Sequence, residues 1–275
     1  MYPELLKIGD FTITSFGVMM ALAFIAGFAV IRVQLKERGE DPEFAGDVLL
    51  GAVIGGIIGA KLYYVLLNWE RTVIDPAGML FSRGGLVWYG GLIGGALGVI
   101  FMIRRRGKSL VEMADVVAPG LALSYAVGRI GCFLVGDDYG RPTDSWVGIP
   151  FPNGYPPSTA GNLRRQFGVA VPDSIPDATV LAVYPTQLFE VALSFLIFLL
   201  LWKLRKRPRQ AGWLFSLWLL LAGAERLFVE FFRAKDDRFF GILTMAQLIS
   251  VAMIVLALVL LHRTSGSGAR DTGRA

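Results

Sequence analysis

Cysteine, histidine and charge are all scarce in this 275-residue chain. Cys132 is its single cysteine, so no internal disulfide can form and the redox compartment cannot be read from thiols. His262 is its single histidine. Its place at the end of the last apolar run excludes a histidine-based metal site and leaves the motifs below without an imidazole base. Asp, Glu, Lys and Arg make up 18% of the residues, where a soluble domain carries about 25%. Hydrophobic residues reach 54%. The shortage of charge is uneven. It leaves long apolar runs, and about 20 such residues cross a hydrocarbon core of ~30 Å.

These runs fall near 11–33, 48–67, 86–103, 187–202, 211–230 and 243–262. A seventh, near 111–128, carries Glu112, Asp115 and Pro119. The expected fold is all-α: a polytopic membrane protein with about seven transmembrane helices, one domain over 1–262 and a disordered, Gly/Ser-rich cytoplasmic tail over 263–275. A net charge of +5 in a soluble protein would point to nucleic acid; between spans, the placement of Lys and Arg matters more. Arg32, Lys36 and Arg38 form one short cluster, Arg104, Arg105, Arg106 and Lys108 a second, and Lys203, Arg205, Lys206, Arg207 and Arg209 a third. With the tail's Arg263, Arg270 and Arg274, they orient the chain N-terminus out and C-terminus in, with no nucleic-acid partner. The first run is a poor signal peptide. Its leader, Met1 to Asp10, sets one Lys against Glu4 and Asp10, so it is expected to stay attached.

The longest stretch without a span, about 131–184, is rich in Pro, Gly, Ser and Asp. Its backbone groups would go unsatisfied in hydrocarbon, which predicts a small extracytoplasmic head. Phe133, Trp146, Phe151 and Phe167 either give it a small core or dip into the interface; a floppy loop is the plainer alternative. Two glycine runs, GAVIGGIIG at 51–59 and GGLIGGALG at 90–98, place glycines four apart on one helix face. Close packing of spans explains them, and bare backbone lining a lipid cavity is the functional alternative. Their likeness to each other is either a weak internal repeat or a shared packing need.

Ionisable residues inside a span cost about 2.5–3.5 kcal/mol each at its centre, which makes them site candidates. In AERLFVEFFR, at 224–233, Arg226, Glu230 and Arg233 are spaced i, i+4, i+7 and share a helical face. Two guanidiniums around one carboxylate leave net positive charge, able to hold a phosphate; an interface-level salt-bridge ladder is the alternative. GRIGCFLVGDDYGRPTD, at 128–144, sets Arg129 at a span end, then Asp137, Asp138 and Arg141 among Gly136 and Gly140. That mixture suits a phospholipid headgroup, or an ordinary polar turn. GGLVWYGGLIGG, at 84–95, puts Trp88 and Tyr89 before Gly90 and Gly91, as an aromatic anchor or with the Tyr89 hydroxyl facing a cavity. YPTQLFE, at 184–190, starts a helix at Pro185 and buries Gln187 and Glu190, read as an interhelical clamp.

Together with SFGVMMALAF at 15–24 and GAKLYYVLLN at 59–68, these segments resemble the prolipoprotein diacylglyceryl transferase family over most of the chain. The resemblance implies an enzyme of the bacterial cytoplasmic (inner) membrane. It would move the diacylglyceryl group of phosphatidylglycerol onto the lipobox cysteine thiol of a preprolipoprotein, with glycerol phosphate as the other product. No metal or organic cofactor is implied. Its partners would be phosphatidylglycerol, lipobox-bearing signal peptides and membrane lipids. The candidate catalytic residues are Arg129, Arg226, Glu230, Tyr89 and Asp137. The candidate substrate-binding residues are Arg129, Arg141, Arg233, Gly90, Gly91, Gly136 and Gly140. Cys132 and Val135 stand where the family has asparagine, Asp137 where it has glutamate, Phe16 where it has tyrosine, and Tyr89 and Tyr184 where it has histidine. The arginine framework is kept and the proton acceptor is left open among Tyr89, Asp137, Asp138 and Glu230. A paralogue acting on another lipid or acceptor, a lipid-binding or transport protein, and a structural assembly protein are the rival readings.

Overall fold

The computed structural model describes all residues except 10, 83, 208, 235–237, 240–242 and 267–275. The tail expected over 263–275 thus lies mostly outside the described residues. A hairpin of β1 (Glu4–Ile8) and β2 (Phe11–Thr14) leads into α1 (Ser15–Glu37). Then come α2 (Phe44–Leu67), two short helices α3 (Trp69–Ile74) and α4 (Pro76–Phe81), α5 (Trp88–Arg105) and α6 (Leu110–Val135). The head contributes β3 (Ile149–Pro150), α7 (Ala160–Phe167) and β4 (Ala182–Val183). The chain continues through α8 (Thr186–Leu204), α9 (Trp213–Glu230), the hairpin of β5 (Arg238–Phe239) and β6 (Leu243–Thr244), and α10 (Met245–Gly266).

Helices α1, α2, α5, α6, α8, α9 and α10 each run to 18 residues or more. Of these, α1, α2, α6, α8 and α10 are apolar enough throughout to cross a membrane. The other two are diluted for identifiable reasons. Helix α5 is glycine-rich and ends in Arg104 and Arg105, and α9 carries Glu225, Arg226 and Glu230. The protein is an all-α polytopic membrane protein. Its helices show the inverted pattern of a lipid-bathed bundle: on α8, Leu196 and Leu199 face out while Gln187, Glu190 and Ser194 are buried.

Two boundaries differ from the sequence reading. The apolar run expected from residue 11 begins as strand β2, and the helix starts only at Ser15. Helix α6 absorbs Pro119 and runs on to Val135. Arg129 is therefore well inside a helix, not at a span end, and the head begins after Val135.

The chain divides into two compact units, one of residues 1–27 and 117–275, the other of residues 28–116. In the second unit α2 and α5 lie antiparallel with glycine against glycine: Gly51 meets Gly98, Gly55 meets Gly94 and Gly59 meets Gly90. A Cβ on Gly51 would stand 2.7 Å from the Gly98 carbonyl oxygen, closer than Cβ atoms are found, and methyls at Gly55, Gly59, Gly90 or Gly94 would strike backbone still harder. The two runs look alike because each is the other's contact surface. Lys61 gives three hydrogen bonds of 2.8 Å to Ser82 and Gly84, tying down the approach to α5. At the opposite helix ends Arg106 pairs with Asp47 and Lys108 with Glu40.

In the first unit the head has a core of its own. Tyr139, Phe151, Ala160, Leu163, Val171, Val183 and Ala234 are buried together, with Phe133 and Phe167 packed against them. Tyr139 stacks on Phe151 at 5.3 Å, and its hydroxyl donates to the carbonyls of Pro156 and Pro157. Trp146 takes no part: it is 95% exposed.

Candidate functional site

The functional side chains of the first unit gather where α6, α8 and α9 meet the turns that follow α6 and α9. Tyr125, Arg129 and Cys132 share one face of α6 through their i, i+4, i+7 spacing. Gln187, Glu190 and Ser194, spaced i, i+3, i+7, share a face of α8. After α6, Gly136 adopts φ +75°, a conformation open to glycine, and turns the chain back. Asp138 follows at φ 55°, which Asp tolerates better than most residues. The turn is fastened from α8: the Thr186 hydroxyl donates to the Asp138 carbonyl at 2.6 Å, and the Gln187 amide donates to the Asp137 carbonyl.

The Asp138 carboxylate then joins two arginines. Arg129 Nη1 donates to one oxygen at 3.0 Å and Arg233 Nη2 to the other at 2.9 Å. Arg129 Nη2 donates to Glu190, which is 1% exposed, and the second Glu190 oxygen accepts the Tyr125 hydroxyl at 2.8 Å. Glu230 stands 2.6 Å from Arg226 Nη2 and 3.7 Å from Arg233 Nε. The result is one connected array running Tyr125, Glu190, Arg129, Asp138, Arg233, Glu230, Arg226.

Two sequence expectations change here. Arg226, Glu230 and Arg233 do not share one helix, because α9 ends at Glu230 and Arg233 sits in the turn beyond, still within reach of Glu230. Nor is net positive charge left over. Asp138 and Glu190 enter the array, so three guanidiniums face the three carboxylates of Asp138, Glu190 and Glu230. Glu190 is more than the interhelical clamp read from YPTQLFE: it orients Arg129.

Several buried atoms in and beside the array lack a hydrogen-bond partner among the described residues: Arg129 Nε, Arg226 Nη1, Gln187 Oε1 and Asp137 Oδ1, while Glu230 Oε2 is met only by its ion-pair contacts. The two arginine atoms are donors, and unmet buried donors are costly unless something binds them. Asp137 differs from its neighbour. Burial, then the charge of Asp138, pushes its carboxyl up to about 6, against the pull of Cys132, Arg129 and Arg233. Burial acts the same way on Asp138, but Arg233 and Arg129 outweigh it and hold that carboxyl below the usual range. Cys132 Sγ and the two aspartates offer ligand atoms within 4.8 Å of one another. The Arg129 guanidinium already lies 3.3 Å from that sulfur, as the cation of the cluster.

Arg141 is exposed at the rim, its Nε donating to the Arg233 carbonyl at 3.0 Å. Gly140 lets the chain pass close to Tyr184 and Phe232: its N–H donates to the Tyr184 carbonyl at 2.7 Å and a Cβ would strike the Phe232 carbonyl. Gly136 and Gly140 therefore shape the turn that carries the aspartates. Tyr89, Gly90 and Gly91 belong to the second unit. There Tyr89 is half-exposed and edge-on to Trp88 at 5.2 Å, Gly90 abuts Gly59 and Tyr63, and Gly91 abuts Ala60. Tyr125 and Ser194 escaped the sequence reading; the usable signal was their helical spacing from Arg129 and Glu190.

Comparison with known proteins adds a family to this geometry. Residues 3–263 match the sequence profile described as prolipoprotein diacylglyceryl transferase. A phosphatidylglycerol–prolipoprotein diacylglyceryl transferase of Clostridium tetani is 30% identical over 259 residues, covering 94% of this chain and 96% of that protein. The protein named phosphatidylglycerol–prolipoprotein diacylglyceryl transferase 2 of Clostridium perfringens is 33% identical over 264 residues, 95% and 94% of the two chains. A transferase of the first name from Francisella tularensis subsp. novicida is 32% identical over 274 residues, 94% and 91% of the two chains.

Proposed function

This chain belongs to the prolipoprotein diacylglyceryl transferase family, and from that premise we propose that it transfers diacylglyceryl from phosphatidylglycerol to a prolipoprotein cysteine, its arginine array binding the phosphate. The observation that carries the site assignment is the pair of unmet buried donors, Arg129 Nε and Arg226 Nη1. A phosphodiester brings oxygens that can accept charge-assisted hydrogen bonds from both donors.

The reaction replaces a carbon–oxygen bond with a carbon–sulfur bond. The thiolate of the lipobox cysteine attacks the saturated carbon that bears the phosphate ester, and glycerol phosphate leaves with the bonding electrons. Negative charge grows on the leaving phosphate, and fixed guanidiniums stabilise it with little reorganisation. Arg129 and Arg226 supply that charge; Arg233 holds Asp138 and Glu230 in place, and Arg141 meets the headgroup at the rim. A thiol ordinarily titrates near pH 8.5, so its proton needs an acceptor. Asp138 and Glu230 are engaged by arginines, whereas Asp137 keeps an unpartnered oxygen and a carboxyl poised near 6. Asp137 is the acceptor in this scheme, and it can pass the proton on to the leaving phosphate.

The enzyme resides in the bacterial cytoplasmic membrane, N-terminus out and C-terminus in, with the head on the outer side where prolipoproteins emerge. Short Lys- and Arg-rich loops at the ends of α1, α5 and α8 support that orientation. The test is transfer of radiolabelled diacylglyceryl from phosphatidylglycerol to a lipobox peptide by membranes containing the protein, with glycerol phosphate measured in parallel. Arg226→Ala is expected to insert normally and lose transfer. No transfer by the unmodified protein to any lipobox peptide sinks the proposal, and lipid moved without glycerol phosphate release identifies a transporter instead.

A further inference from the structure

Glu225 and Ser194 form a polar pair that the scheme above leaves unused. Ser194 on α8 is 2% exposed and Glu225 on α9 is 8% exposed. The Ser194 oxygen lies 2.6 Å from one Glu225 carboxyl oxygen and 2.8 Å from the other. A hydroxyl has one proton to give. Both contacts become full hydrogen bonds when the carboxyl carries a proton: the acid donates to Ser194 and Ser194 donates back to the other oxygen. Among the described residues no cation forms an ion pair with Glu225, and its chain neighbour Arg226 is paired with Glu230. An ionised carboxylate in that setting would carry a large desolvation cost.

The charge count points the same way. Three guanidiniums already face three carboxylates in the array. Asp137 already adds a fourth carboxylate beside it when ionised, so an ionised Glu225 would make the site more negative still and oppose an anionic substrate. We propose that Glu225 acts as an uncharged acid, a positioning residue that joins α9 to α8 through Ser194 without adding negative charge beside the phosphate, so that removing its proton weakens phospholipid binding. The groups that face it are Glu190 on α8, Tyr125 and Arg129 on α6, and Arg226 on its own helix. Helix α10 also packs on α9, and it has no ionisable residue between Met245 and Leu261. The inference rests on the phosphate reading of the site.

The experiment follows KM and kcat for phosphatidylglycerol vesicles and a lipobox peptide, from neutral to alkaline pH, in wild type and Glu225→Gln. Glutamine keeps both hydrogen bonds with Ser194 and cannot ionise. The expected result is a wild-type KM that climbs about tenfold toward alkaline pH with kcat little changed, while the glutamine variant holds the neutral-pH KM throughout. Coincident profiles overturn the inference and leave the transferase reading standing; no transfer by wild type takes both down. Infrared spectra of wild-type membranes give a second test that needs no variant. A protonated-carboxyl stretch present at neutral pH should fade in step with the rise in KM, and its absence at neutral pH overturns the inference.

Discussion

Replacing Asp138 with asparagine isolates the bridge between the two arginines. The carboxylate meets Arg129 at 3.0 Å and Arg233 at 2.9 Å. Unit charges about 4 Å apart at an effective dielectric near 20 attract by about 4 kcal/mol, so two pairs set a ceiling of about 8 kcal/mol. The Asp138 side chain is 42% exposed, and solvent screens much of that. Exposed pairs give about 0.2–1 kcal/mol, and breaking a fully buried one costs about 3–5 kcal/mol. Asparagine retains an acceptor oxygen and tolerates the left-handed backbone, so the expected loss is about 1–2 kcal/mol. At about 2–4 °C per kcal/mol, the midpoint of thermal unfolding in detergent should fall by about 2–8 °C. The pH dependence fixes the cause. The folded-state pKa of Asp138 is depressed, so its contribution is present above the unfolded value of about 3.9 and lost as pH falls through the folded one. The gap between variant and wild type should be full at neutral pH and close in acid. An unchanged midpoint at neutral pH, or a gap that persists in acid, would refute the bridge as an electrostatic element.

Asp137→Asn should lower kcat by about 10²–10⁴ while the protein still inserts. Wild-type transfer should decline as pH drops through about 6, where the Asp137 carboxyl becomes protonated; a profile flat to lower pH removes Asp137 as the acceptor. That carboxyl is raised in the fold, so ionising it costs stability as pH climbs from its unfolded value, and the asparagine variant should gain stability at neutral pH, read by thermal unfolding. Gly94→Val places a branched side chain against the Gly55 backbone and should destabilise the α2–α5 pair by about 1–3 kcal/mol or more, seen as faster proteolysis in membranes; wild-type resistance would contradict the contact. Cys132→Ser should leave most transfer intact, because the hydroxyl can also accept from Arg129; complete loss would make Cys132 a nucleophile.

The sequence carried the architecture because apolar runs of bilayer length have few other uses, and the helices α1, α2, α5, α6, α8, α9 and α10 answer to the seven runs. Boundaries were harder. Nothing local distinguishes GRIGCFLV as helix rather than loop, and only the structure shows α6 carrying Arg129 well inside. The arginines were legible because a guanidinium in an apolar run demands an explanation. Their partners were not. Asp138 lies nine residues from Arg129 and 95 from Arg233, and Glu190 lies 61 residues from Arg129. Pairings at such separations are made by the fold, so a charge count taken from one helix gave a net positive charge that the array does not have. The glycine runs show the same limit: each was visible alone, and their mutual contact was not.

The head core sets an order of events during synthesis. Ala234 packs among Tyr139, Phe151 and Val183, and Arg233 reaches back to Asp138. The head core is therefore incomplete until the residues just beyond α9 have been made. Both glycine runs, on α2 and α5, have been made long before that. Any chain released before Arg233 lacks the second arginine on Asp138 and the Ala234 part of the head core. The last piece of the head core and the second arginine on Asp138 thus arrive together.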